Sequence, residues 1–154
     1  MRLLIQKVKG AQVVVEGKVV GKINAGLLVF LGVHSADTLK ECQWVKEKLL
    51  DLRIFPDEAG KLNLSLRDVG AELLVVSQFT LYADCSKGRR PSFTDAAPPE
   101  MAKKLYEQFV NELKETLPQV QTGEFGAHME VSLINDGPLT FIVDSPSCNL
   151  PKQV

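Results

Sequence analysis

The run GLLVFLGV, from Gly26 to Val33, is apolar without a break. A strand with one wet face alternates apolar and polar residues. An unbroken run of this length instead fits a central strand buried on both faces. AELLVVSQFTLYA, from Ala71 to Ala83, opens with a second core run of the same kind and passes directly into a polar and aromatic segment. These two runs fix the middle of the fold, and the other elements have to cover it.

The flanking segments read as follows. RLLIQKV and AQVVVEG are two β-branched, apolar-rich runs with a glycine corner between them, and KVVGKI continues as a third short strand. In DTLKECQWVKEKLLDLR, Leu39, Cys42, Val45, Leu49 and Leu52 recur at spacings of three and four, which predicts one helical face, with Asp37 or Thr38 as its cap. RIFPDEAGKLNLSL is an extended arm with a turn. PPEMAKKLYEQFVNELKETL predicts a second helix, its prolines at the tolerated start and Met101, Leu105, Phe109 and Leu113 as its apolar stripe. QVQTGEF, MEVSLIN and LTFIVDS read as three closing strands, the last two separated by a polar turn that holds Gly137 and Pro138. The total is roughly eight or nine strands and two main helices, interleaved without strict alternation. The expected fold is α/β, a curved or barrel-like mixed sheet with both helices on one side. Its 154 residues suit a single domain over 1–146, with a frayed tail at 147–154.

Several functional classes are disfavoured. A net charge of −1 gives no global field that would draw the chain to nucleic acid, so any such contact needs a local patch. Cys42, Cys85 and Cys148 are widely spaced and form no CxxC pair, which points to neither a zinc site nor a disulfide framework and fits a reducing cytoplasm. The first ten residues do not resemble a signal peptide, and no apolar run is long enough for a membrane span. Neither a dinucleotide loop, a phosphate loop nor a GxSxG elbow is present. The two histidines, His34 and His128, lie in separate loop-like settings, so a Ser-His-Asp triad is hard to build. No metal and no cofactor is expected.

The segment from Ser77 to Phe93, SQFTLYADCSKGRRPSF, is richer. A core strand ends at Ser77-Gln78-Phe79-Thr80, where backbone N–H groups are available to hold a developing oxyanion. Lys87, Arg89 and Arg90 cluster on the following loop, as phosphate contacts or as a solvated charged loop.

SQFTLYA together with NDGPLT resembles the paired signatures of D-aminoacyl-tRNA deacylases. IQKVKGAQV, KGRRPSF and FGAHMEVSLINDGPLT extend the resemblance over nearly the whole chain. The resemblance implies a cytoplasmic homodimer that hydrolyses the ester between a D-amino acid and the terminal adenosine of tRNA, as proofreading for translation. It also implies action on glycyl-tRNA mischarged on tRNA-Ala.

On this reading Ser77, Gln78, Phe79 and Thr80 form the catalytic segment, and Phe79 and Thr80 offer backbone N–H donors. Thr80 as a nucleophile is the alternative. A cis bond between Gly137 and Pro138 enters the partner's site and excludes L-amino acids by a backbone clash. Phe79, Phe125 and Met129 wall the adenosine. Lys87, Arg89 and Arg90 meet tRNA phosphates, and Lys7 and Asn135 support the Gly-Pro loop. Two departures stand out: Lys7 replaces a usual Arg, and Leu139 a usual Val. A rival reading is a non-enzymatic nucleic-acid-binding module, and a second is a relative that edits mismatched L-aminoacyl-tRNA.

Overall fold

The computed structural model describes residues 1–146, so the expectation of a frayed tail, and Cys148 with it, lies outside the described residues. The chain order is β1 (Arg2–Val15), β2 (Lys18–Ile23), β3 (Gly26–Gly32), α1 (Leu39–Asp51), β4 (Phe55–Pro56), β5 (Leu62–Leu64), α2 (Leu66–Val69), β6 (Glu72–Ser77), α3 (Pro99–Thr116), β7 (Val120–Thr122) and β8 (Glu130–Asp144), with a 3-10 turn at Phe79–Tyr82 after β6. The main sheet runs β2-β1-β3-β6-β7, and β8 pairs with the other edge of β1. β3–β6 and β6–β7 are parallel, while every pairing of β1 is antiparallel.

Both apolar runs sit where their composition requires. On β3, Leu27, Val29 and Leu31 face a core shared with α1 and α3. Leu28 faces a second core inside the curl of the sheet with Val8, Val13, Ile23, Leu74 and Val76. β6 divides in the same way, Leu73 and Val75 against Leu74 and Val76. The curl brings β2 back towards β7. A Cβ on Gly21 would stand 2.2 Å from the Thr122 carbonyl oxygen, so the near closure depends on glycine. The result is the mixed, nearly barrel-shaped sheet with two main helices on one side.

α1 starts at a capping box. The Thr38 side chain accepts from the helix backbone, and Glu41 reaches back to the Thr38 N–H at 2.8 Å. Leu39, expected on the buried face, is exposed because it stands at the first helical position, before the stripe of Cys42, Val45 and Leu49 turns inward. On α3, Leu105, Phe109 and Leu113 are buried as expected, and Tyr106 and Val110 widen the stripe. The α-amino group of Met1 is buried in an ion pair with Asp37 at 2.6 Å, which ties the start of β1 to the loop before α1.

Two strand expectations are corrected. The glycine corner at Gly10 does not end a strand, and β1 runs unbroken from Arg2 to Val15. Nor does the polar turn split MEVSLIN from LTFIVDS, because β8 is one strand of 15 residues. The turn residues leave the ladder sideways. Asn135 pairs with Val8 and Thr140 with Gln6, so Asp136–Leu139 stand opposite Lys7 alone. Turn chemistry was read correctly from these residues, but it produces a bulged excursion rather than a reversal, because both halves of β8 pair with the same strand.

Candidate active site

At the carboxyl end of β6 the Gln78 N–H donates to the Leu31 carbonyl at 2.8 Å, the last rung of the parallel ladder. The chain then tightens into the 3-10 turn. The Leu81 N–H donates to the Gln78 carbonyl and the Ala83 N–H to the Thr80 carbonyl. At the start of a helical turn the first N–H groups have no preceding carbonyl. The N–H groups of Phe79 and Thr80 accordingly reach no protein acceptor among the described residues. The Gln78 side chain donates to the Thr80 hydroxyl. Arg2 fixes the far end of the turn. Its Nη1 donates to the Leu81 carbonyl at 3.0 Å, while its Nε is held by Asp144 at 2.7 Å.

This turn forms one wall of a pocket of about 680 Å³, within the range of small-molecule sites. Ser77, Gln78, Phe79, Phe125 and Met129, all singled out in the sequence, line it. Phe93, Ala97, Pro98 and Tyr106, which the sequence reading did not include as site residues, are among the other lining residues. Tyr106 was visible in the sequence only as part of a helical stripe, and Phe93 as the end of a basic loop. The Tyr106 hydroxyl donates to the Val75 carbonyl at 3.0 Å, and burial pushes its pKa up to about 12, so it stays neutral. It closes the pocket floor as a satisfied polar group.

Thr80 stands beside the pocket and is exposed. Lys87, Arg89 and Arg90 project from an exposed loop outside the lining. His128 is exposed on the pocket wall, whereas His34 accepts from the Ala36 N–H through Nδ1 at 3.0 Å and packs edge-on against Tyr82. The described residues hold no group of three or more His, Cys, Asp or Glu side chains able to bind a metal.

Gly137 and Pro138 do not line the pocket of their own chain. The bond between them is cis, and both residues are exposed. Gly137 has φ of +142°, and a Cβ there would meet the Leu139 backbone nitrogen at 2.9 Å, so the position is restricted to glycine. Asn135 shapes the excursion from inside. Its Oδ1 accepts from the Leu139 N–H at 3.0 Å and its Nδ2 donates to the Thr140 hydroxyl at 2.9 Å. Lys7 pairs with Asp136 at 3.0 Å within one chain. It therefore braces the excursion of its own chain.

A family model described as D-Tyr-tRNA(Tyr) deacylase matches residues 4–144. The chain belongs to this family. A D-aminoacyl-tRNA deacylase of Thermosipho africanus is 61% identical over 145 residues, covering 94% of this chain and 97% of the relative. One from Desulfatibacillum aliphaticivorans is 60% identical, covering 94% and 99%. A solved structure named c-Myc DNA Unwinding Element Binding Protein superposes with a TM-score of 0.91 at 40% identity, over 96% of this chain and 100% of that one. The family is one of hydrolases acting on aminoacyl-tRNA, and the chain is an enzyme of that class.

Proposed function

We propose that the pocket binds the 3′-terminal adenosine of D-aminoacyl-tRNA, and that the 3-10 turn hydrolyses the ester it carries. The observation that carries this reading is the pair of unengaged N–H groups, Phe79 and Thr80, at the edge of a mostly apolar pocket. Water adds to the ester carbonyl carbon, and the oxygen that gains charge accepts from these two donors. The bond to the ribose oxygen then breaks, that oxygen takes up a proton, and the amino acid leaves as its carboxylate. The neighbouring ribose hydroxyl assists the proton transfer. Fixed backbone dipoles serve such a step well because they need no reorganisation as charge develops. Phe79, Phe125 and Met129 pack the adenine, and the cations of the basic loop meet the acceptor stem.

Chiral selection falls to Gly137 and Pro138 of a second copy. The excursion lies outside the pocket of its own chain and projects from β8, whose outward Ile134 and Ile142 are each 64% exposed. A two-fold pairing along β8 covers these residues and carries each excursion to the other site. Backbone carbonyls beside the substrate Cα leave room for hydrogen but not for a side chain on the L side, so D side chains of many sizes are accepted. Glycine has no such side chain, and glycyl-tRNA mischarged on tRNA-Ala is a second substrate. Proofreading of the translation pool in the cytoplasm follows from this chemistry.

The test is deacylation of D- and L-tyrosyl-tRNA. Rapid release from the D form and very slow release from the L form is expected, and equal rates overturn the reading. Gly137→Ala should slow the D reaction severely; the strained tip lowers thermal stability, while a single cooperative unfolding transition is retained.

A second role beside deacylation, DNA binding, is suggested by the basic loop and by the name of the 40% identical neighbour. It predicts tight DNA binding by the active enzyme.

A further inference from the structure

Beyond the adenosine pocket, the geometry points to a second nucleobase subsite at its rim, with Phe93 as the stacking platform for the base that precedes the terminal adenosine. This inference rests on the reading of the pocket as an adenosine site. A substrate seated there has to leave through the rim, because its preceding nucleotides continue as single strand. At that rim Phe79 and Phe93 stand edge to face, with ring centroids 5.1 Å apart and an interplanar angle of 63°. They are 56% and 42% exposed, an unusual amount of aromatic surface to leave in water beside a pocket.

The backbone at Phe93 is anchored on both sides. Asp84 and Ser92 exchange backbone hydrogen bonds of 2.8 and 2.9 Å, and the Ala96 N–H donates to the Phe93 carbonyl at 3.2 Å. The ring therefore projects from a fixed base. The Asp84–Ser92 bridge also closes the loop 85–91, which carries Lys87, Arg89 and Arg90 and no carboxylate. Hydrogen bonds from the Ser86 hydroxyl and N–H hold the Asp84 carboxyl below its usual pKa, so the foot of the loop keeps its shape at neutral pH.

An exposed aromatic face next to a cluster of cations is the arrangement that holds single-stranded nucleic acid, the ring taking a base and the cations its phosphates. A duplex offers no free base face to the ring, so the occupant is the unpaired nucleotide next to the terminal adenosine. The second Phe, inclined at 63° with its edge toward the ring, leaves one face of Phe93 for this base and gives Phe79 to the adenosine.

The experiment compares kcat/KM on D-tyrosyl-tRNA with that on D-tyrosyl-adenosine and on D-tyrosyl cytidylyl-adenosine, for wild type, Phe93→Ala, Phe93→Leu and Phe93→Tyr. In the wild type, adding the single cytidine should recover much of the advantage of whole tRNA. In Phe93→Ala the ratio of tRNA to adenosine-ester activity should fall about 5- to 100-fold, chiefly through KM, as expected for loss of one stacked base. Phe93→Leu, which keeps apolar bulk without a π face, should behave like Phe93→Ala, and Phe93→Tyr like wild type. An unchanged ratio in Phe93→Ala and Phe93→Leu overturns the subsite, as does equal loss on all three substrates. A wild type that releases nothing from D-tyrosyl-tRNA refutes the underlying reading instead, whatever Phe93 does.

Discussion

Thr80 presents two groups to the site, a hydroxyl and a backbone N–H, and they make opposite predictions. A nucleophilic hydroxyl needs a base within reach, yet its partner is the Gln78 amide, which donates to it and accepts no proton. The N–H, in contrast, has no protein acceptor among the described residues and is fixed by the fold of the turn. Thr80→Ala keeps the N–H and should retain most of the deacylation rate, whereas loss of a nucleophile would remove nearly all of it. Single-turnover kinetics with rapid quenching decides between them, and an acyl group trapped on Thr80 would refute the backbone assignment. At the same scale Cys42 is inert. Burial pushes its pKa up to about 12, and no thiolate forms at neutral pH.

Among the elements, α1 and α3 are joined by Lys46 and Glu112, 2.8 Å apart and both mostly covered. Hydrogen bonds from Gln108 and then Lys46 hold the Glu112 carboxyl below its ordinary pKa. A depressed carboxylate contributes stability above its unfolded value, about 4.3, and loses it as the pH falls through the folded value. Lys46 is raised, chiefly by its hydrogen bond to Glu112, so its share is present below about 10.4 and is lost at higher pH. Glu112→Gln should therefore cost about 1 kcal/mol at neutral pH. Thermal unfolding measured from acid to alkaline pH should show its gap to wild type closing below pH 4, and a gap that persists there would refute the pairing.

Such helices were legible in the sequence because their spacing is local. So were the two central strands, whose runs could only be buried. The merging of LTFIVDS with MEVSLIN was not legible. Asn135, Asp136, Gly137 and Pro138 favour a turn whether the chain reverses or bulges, and only the pairing of β8 with β1 decides which. The motif resemblance singled out Ser77–Thr80, Phe125 and Met129, and all but Thr80 line the pocket. Phe93 and Tyr106 were not legible, because their places depend on how the loop and α3 close over the end of β6.

At the level of the whole molecule, one edge of the sheet is left open. β8 pairs with β1 on one side only, over nearly its full length, and presents Ile134 and Ile142 outward. Long apolar edge strands invite pairing with another chain. If two copies meet along β8, a charge at Ile134 should separate them, and both sites should fail together because each needs the other's excursion. Sedimentation and deacylation of Ile134→Lys test this as a pair. A variant that is monomeric yet fully active would refute the cross-subunit arrangement.

The excursion at Asp136–Leu139 also has a consequence for how such a protein can change over generations. Its two ends are clamped at Asn135 and Thr140 to adjacent points on one neighbouring strand, and the Asn135 side chain spans them. Residues added or lost between those clamps alter the reach of the tip without shifting a single rung of the ladder on either side. The scaffold thus separates two kinds of heritable variation. If the tip enters a second copy's site as proposed, edits within its four residues change what that site tolerates, whereas an insertion one residue outside it reverses the facing of half a strand. On the proposed cross-subunit arrangement, grafting tips of other lengths between Asn135 and Thr140 should alter selectivity while the ladder on either side keeps its register.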